Sequence, residues 1–174
     1  MGRVKRHIML IGLPGSGKTV VGRHVAQQLD TRFVDVDALI EETEAQTVTE
    51  IFEQRGEPAF RDLERSVVRA LLQERPSVIA PGGGWAAQPH ALADAACALL
   101  VHLVTEPYEA SQRVAQCGGR PLLEGEAAKE RMLELWEARR VFYERAGHAV
   151  ETTGQSVEHV VQHVVALARS AGGW

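Results

Sequence analysis

The chain has 174 residues, enough for one domain with its own core, and its 45% hydrophobic and 24% charged content excludes a disordered protein. Nineteen Lys and Arg against 23 Asp and Glu leave a formal charge of −4, which argues against a general nucleic-acid binder. No apolar run reaches the roughly 18 residues of a membrane span, and the two cysteines, Cys97 and Cys117, lie in no CxxC pair, so neither a disulfide framework nor a zinc site is indicated.

In chain order, residues 7–11 are a short apolar run that reads as a buried strand, and a helix is expected over 18–29. Residues 32–36 read as a second strand. Thr47 and Glu50 fit a capping box, with Gly56 as the stop of a short helix. A longer helix over 59–74 places Phe60, Leu63, Val67, Ala70 and Leu71 on one face, and Pro76 ends it. Strand 77–80 closes on Pro81 and three glycines, Gly82, Gly83 and Gly84. A helix over 88–96, the apolar strand 98–104 and a helix over 106–116 follow. Residues 117–125 are a polar loop, 126–145 a long helix, 149–151 a last strand, and 156–170 a helix with an apolar valine stripe. Such alternation implies βαβ crossovers, hence an α/β fold of three layers, α/β/α, around a parallel sheet, in one domain over residues 1–174. Ligands in such sheets bind beyond the carboxyl ends of the strands. Arg6 stands where a myristoylation signal needs Ser or Thr, and the apolar residues 8–12 are too short for a signal peptide, so a cytoplasmic protein is expected.

Gly12-Leu13-Pro14-Gly15-Ser16-Gly17-Lys18-Thr19 matches GxxxxGK[ST] between a predicted strand and a predicted helix. Its backbone N–H groups and the helix dipole suit phosphate, and Gly15, Ser16, Gly17, Lys18, Thr19 and Val20 are the expected nucleotide contacts. Lys18 would neutralise the β- and γ-phosphates, and the Thr19 hydroxyl would ligate Mg²⁺. No acidic residue ends the strands at 77–80 or 98–104, whereas Asp35 and Asp37 follow the second strand. One of them could hold a metal-bound water and the other accept a proton from an attacking hydroxyl; Asp37 also reads as the cap of a helix through Ala38. Arg61 and Arg139 offer guanidinium forks for a carboxylate. Gly82, Gly83 and Gly84 offer backbone N–H groups. Arg113 and Arg120 flank the loop containing Gly118 and Gly119, which reads as a basic lid over about 113–125.

The phosphate loop, Asp35-x-Asp37, Phe60-Arg61, Gly82-Gly83-Gly84, Arg120-Pro121-Leu122-Leu123, and Arg139 with Tyr143 together resemble the shikimate kinase family, in order and spacing, across nearly the whole chain. The resemblance implies a five-stranded parallel sheet of order 2-3-1-4-5. It also implies transfer of the ATP γ-phosphoryl group to the 3-hydroxyl of shikimate, with Mg²⁺ as cofactor. Carried over, Asp37 would hold the ring hydroxyls and act as base, and Lys18 and Arg120 would serve the phosphates. Arg61 and Arg139 would clamp the carboxylate with Gly83 assisting, and Asp35 would stand one hydrogen bond behind Mg²⁺. ATP and shikimate would be the partners of a monomer that binds neither nucleic acid nor membrane. Two positions depart from the family pattern. Thr152-Thr153-Gly154-Gln155 stands where a basic residue often lies beside adenine, so backbone contacts around Gln155 are expected there. Trp85 stands where a small residue usually follows the third glycine, either facing the acceptor or packing under helix 88–96. A gluconate kinase and a silent nucleotide-binding module are the alternative readings; a nucleoside monophosphate kinase is disfavoured because no Asp-Gly-[Phe/Tyr]-Pro-Arg segment occurs. His159 and His163 have metal spacing but no evident third ligand, and His7, His24, His90, His102 and His148 form no constellation.

Overall fold

The computed structural model describes residues 4–117 and 126–174. The five strands are β1 (Ile8–Ile11), β2 (Phe33–Asp35), β3 (Val78–Ala80), β4 (Leu99–Val104) and β5 (Ala149–Glu151). They form one sheet of order β2-β3-β1-β4-β5, and every pairing is parallel. The order and the all-parallel pairing match the sequence expectation.

Period-two alternation in β1 divides the core. Ile8 and Leu10 join one cluster with Val21 and Val25 of α1 (Lys18–Gln28) and with Val160, Val161, Val164 and Val165 of α7 (Val157–Ala171). Met9 and Ile11 join the other cluster, against α2 (Val36–Glu44), α3 (Val48–Leu71), α4 (Ala91–Asp94), α5 (Pro107–Cys117) and α6 (Glu126–Tyr143). All four β1 side chains are buried, as a central strand covered on both faces requires.

Several local expectations are corrected. β2 ends at Asp35, and α2 starts on the next residue. Asp35, not Asp37, caps α2, its side chain accepting from the Ala38 N–H at 3.3 Å. The capping box at Thr47 and Glu50 forms as expected, and Gly56, at φ 80°, ψ 165°, ends the short helix as expected; the next helix begins at once, so α3 is two helices joined across a kink. Its buried face is Phe60, Glu64, Val68 and Leu71, whereas Ala70 is exposed. The expected helix 88–96 is a 3₁₀ turn over Trp85–Ala87 followed by the four-residue α4, with Pro89 between them. Trp85 is 2% exposed and lies in the core cluster of α3 and α6.

Candidate active site

The phosphate loop joins β1 to α1 at the carboxyl edge of the sheet. Gly15 has φ +80°, and a Cβ there would run into the Ala110 carbonyl of α5, so the motif glycine is dictated twice over. Lys18 Nζ donates to the Gly12 and Leu13 carbonyls, 2.9 Å each, which holds the ammonium over the loop. Ser16 is buried at the loop's tip, and Val20 lies exposed in the first turn of α1.

Thr19 Oγ1 donates to Asp35 Oδ2 at 2.7 Å. A hydroxyl and a carboxylate, both hard oxygen donors, thus sit together beside the loop. The pair suits Mg²⁺, which takes few protein oxygens and keeps water and phosphate ligands.

The three glycines after β3 are where the second half of the site converges. A Cβ on Gly82 would lie 2.8 Å from Glu64 Oε1 and 2.9 Å from Asp37 Oδ1. A Cβ on Gly83 would lie 2.8 Å from Pro14 Cδ of the phosphate loop. A Cβ on Gly84 would lie 2.5 Å from Arg61 Nη2 and 3.3 Å from Arg139 Nη2. Each glycine is therefore needed for close approach, and the strand-end loop brings Asp37, Arg61 and Arg139 together next to the phosphate loop. The Tyr143 hydroxyl, beside Arg139, donates to the Gly83 carbonyl and fixes the loop from α6. Burial pushes the Tyr143 phenol up to about 12, with Arg139 opposing, so it remains a donor.

Glu64 is the functional residue that the sequence reading missed. It is fully buried, accepts from Arg61 Nη1 at 2.7 Å and from the Gly82 N–H at 3.1 Å, and so ties the arginine to the glycine loop. Burial raises its carboxyl above the usual range, the Arg61 charge and hydrogen bond pull it back, and Asp37 nearby raises it further. Its signal in the sequence was its place three residues after Arg61, between Phe60 and Val68 on the core face.

At the other end of the edge, Arg113 of α5 donates to the Thr152 carbonyl at 2.9 Å, to Thr152 Oγ1 at 3.2 Å and to Glu109. Glu109 also accepts from the Gly154 N–H at 3.1 Å. Glu106, Tyr108, Glu109, Gln112, Arg113, Gln116 and Gly154 line a surface cleft there. Gln155 is exposed on the neighbouring turn, its N–H donating to the Thr152 carbonyl at 3.1 Å. Arg120 and most of the expected lid, residues 118–125, lie outside the described residues. His102 is buried in an aromatic stack, its ring centroid 5.0 Å from that of Tyr143 and 6.2 Å from that of Trp136, and belongs to no metal-ligating group among the described residues. The exposed His159 and His163 rings stand 4.4 Å apart, with no third metal-ligating side chain among the described residues.

The arrangement offers a phosphate cradle, a hydroxyl–carboxylate pair for a metal, and a pocket with one carboxylate opposite two guanidiniums. It can bring an acidic, hydroxylated molecule to a nucleoside triphosphate. A shikimate kinase from Geobacter metallireducens is 37% identical over 164 residues, covering 91% of this chain and 89% of that protein. A shikimate kinase structure from Acinetobacter baumannii, in complex with shikimate, superposes with a TM-score of 0.88 at 32% identity, over 95% of this chain and 94% of that one. A gluconokinase from Sinorhizobium meliloti shares the fold alone, at a TM-score of 0.62 and 17% identity over 98% of this chain and 95% of that one. A sequence model of shikimate kinase matches residues 14–169, a span that holds the phosphate loop from Pro14 on, the glycine turn and both arginines, and the chain belongs to the shikimate kinase family.

Proposed function

We propose that this protein transfers the γ-phosphoryl group of ATP to the 3-hydroxyl of shikimate, giving shikimate 3-phosphate and ADP. The observation that carries the reading is the convergence of Arg61 and Arg139 on Gly84, with Asp37 against Gly82 and the phosphate loop against Gly83. An acid held by two guanidiniums at one end would present its ring hydroxyls to Asp37 and to the phosphates at the other.

In this mechanism Arg61 and Arg139 grip the carboxylate, with the Gly83 and Gly84 backbone beside it. Asp37 orients the ring hydroxyls and accepts the proton of the 3-hydroxyl as its oxygen bonds to the γ-phosphorus and the bond to ADP breaks. The backbone of residues 15–19 cradles the phosphates, and Lys18 neutralises their charge. Thr19 would hold Mg²⁺, with Asp35 one hydrogen bond behind; the ion would screen the β- and γ-phosphate charge. Val20, Arg113 and Gln155 serve the nucleotide, and Arg120 stabilises the transferring group from the lid. Closure of that lid would exclude water. The reading takes the whole chain as one catalytic domain acting as a monomer. It places the enzyme in the cytoplasm; no helix among the described residues is long and apolar enough to cross a membrane.

The test is ADP production in a coupled assay, with shikimate or gluconate as acceptor, with and without Mg²⁺. Mg²⁺-dependent turnover of shikimate is expected; turnover of gluconate with none of shikimate would overturn the reading.

A further inference from the structure

Arg61 holds two carboxylates, and the two differ in kind. Glu64 takes Nη1 at 2.7 Å and is fully buried. Glu57 takes Nε at 3.2 Å and Nη2 at 3.0 Å through one oxygen, Oε1, and its side chain is 58% exposed. The Arg61 side chain itself is 14% exposed. Nη2 is also the nitrogen that a Cβ on Gly84 would meet at 2.5 Å, across from Nη2 of Arg139 at 3.3 Å. Glu57 thus shares the nitrogen that lies at the meeting point of the two guanidiniums, taking the Nη2 hydrogen on the Nε side.

The fold makes the Glu57 contact easy to break and the Glu64 contact hard to break. Glu57 follows the kink at Gly56 and pairs with Arg61 across one exposed helical turn. Exposed i,i+4 pairs are weak, worth about a twofold change in an equilibrium constant, and here Glu57 keeps much of its hydration although Arg61 does not. Removing the buried Glu64 would instead leave a guanidinium partly desolvated with half its partners gone. Phe52 and Phe60 hold the guanidinium in place, 5.9 and 5.3 Å from their ring centroids, so Arg61 can change partners without moving.

We propose that Glu57 is an exchangeable internal competitor at the acceptor site. Its carboxylate holds Nε and one Nη2 hydrogen of Arg61, and the carboxylate of the acceptor competes with it for that guanidinium. The inference rests on Arg61 being an acceptor clamp, as argued above. An acidic acceptor held by both arginines outcompetes the single Glu57 oxygen, whereas a neutral analogue leaves Glu57 in place. Glu57 therefore weakens acidic acceptors slightly and denies Arg61 to those without a carboxylate.

The test compares wild type with Glu57→Gln, which keeps size and helical geometry and removes the charge. The KM for shikimate should fall about two- to fivefold, the range expected when an exposed pair is lost, and the calorimetric Kd should fall in parallel. The methyl ester of shikimate should be bound no more tightly by the variant than by wild type, and the KM for ATP should not move. An unchanged or raised KM for shikimate, or an equal gain for acid and ester, would overturn the competitor role. A wild-type enzyme inactive on shikimate would defeat the functional reading itself; an active wild type beside a flat Glu57→Gln would defeat only this inference.

Discussion

The phosphate side and the acceptor side of this site are built by different means. The first is a run of consecutive residues, 12–19, whose backbone does most of the work, tied at long range by Thr19 to Asp35 and by Arg113 to the Gly15 carbonyl. The second draws Asp37 from α2, Arg61 and Glu64 from α3, the glycines after β3, and Arg139 and Tyr143 from α6. Phosphate makes the same demand in any protein, N–H groups and a cation, and a local loop can meet it. A particular hydroxy acid needs side chains fixed in space from several elements. Damage to the loop should thus stop the chemistry for any acceptor, whereas damage to the glycine turn should alter acceptor kinetics and spare ATP.

The largest effects belong to the chemistry. Lys18→Ala and Asp37→Asn should each lower kcat by about two orders of magnitude or more, the scale of a positioned charge or base. Calorimetry should show ATP binding intact in Asp37→Asn; an unimpaired kcat there would remove the base role. Gly84→Ala comes next. Its methyl group would lie 2.5 Å from Arg61 Nη2, and that guanidinium is fastened to Glu64 and cannot retreat without breaking a buried pair. The specificity constant for shikimate should drop by about ten- to a hundredfold, the cost of a misplaced binding group, while the KM for ATP stays level. A matching loss for ATP would blur the division, since Gly83 touches Pro14 of the phosphate loop.

The same division explains what could be read in advance. The crossovers and the phosphate loop were legible because they follow from short-range pattern and parallel connection, and the strand order was legible through the family resemblance. The glycine turn and both arginines were legible, and expected around one carboxylate, through the family resemblance; spacing alone did not bring them together. Glu64 was not seen because an acid in the middle of an apolar stripe disguises the stripe. The face was placed on Phe60, Leu63, Val67, Ala70 and Leu71; Phe60 and Leu71 are buried and Leu63 and Val67 pack on the core, but Ala70 is exposed and Glu64 is buried. Only the burial of Arg61 against it shows why a carboxylate belongs there. Spacing alone left open which of Asp35 and Asp37 did which, and placed the helix cap on Asp37; in the structure Asp35 caps α2 and binds Thr19 while Asp37 faces Gly82. A helix starting one residue after the strand, with no loop between, is what separates them.

A smaller effect should probe the far end of the phosphate side, where side chains replace backbone. Glu109 joins the Gly154 N–H to Arg113, and Arg113 joins Thr152. Glu109→Gln weakens both links without changing size. The KM for ATP should rise about two- to tenfold, as for the loss of a charge-assisted hydrogen bond at a partly exposed site, with the KM for shikimate unchanged. Steady-state kinetics with each substrate varied in turn separates the two. A shift in the shikimate constant alone would place Glu109 outside the nucleotide end.

The least effect at neutral pH should come from His102, between the two halves on β4. Its ring is buried beside Tyr143 and Trp136, and Nε2 has no hydrogen-bond partner among the described residues. Burial, aided by Lys18 and opposed by Glu151, pushes its pKa down from 6.5 to about 4. The unfolded chain therefore takes up a proton between those values that the folded chain refuses, so the folded state loses stability as pH falls through this window. The loss is on the order of 3 kcal/mol, set by the size of the shift. His7, also lowered by burial, adds a loss of the same sign. Glu64, raised by burial, works oppositely: its contribution is fully present below its unfolded value and is lost as pH rises through its folded one. Comparing wild type with His102→Phe cancels both, and Phe keeps an aromatic ring against Tyr143. Between pH 7 and pH 4.5 the Tm of wild type should fall by more than that of the variant, whose remaining decline belongs to the other groups. Parallel declines would mean that the imidazole is already protonated or hydrated in the folded state, and that the packing of Tyr143 behind Gly83 does not depend on a neutral ring.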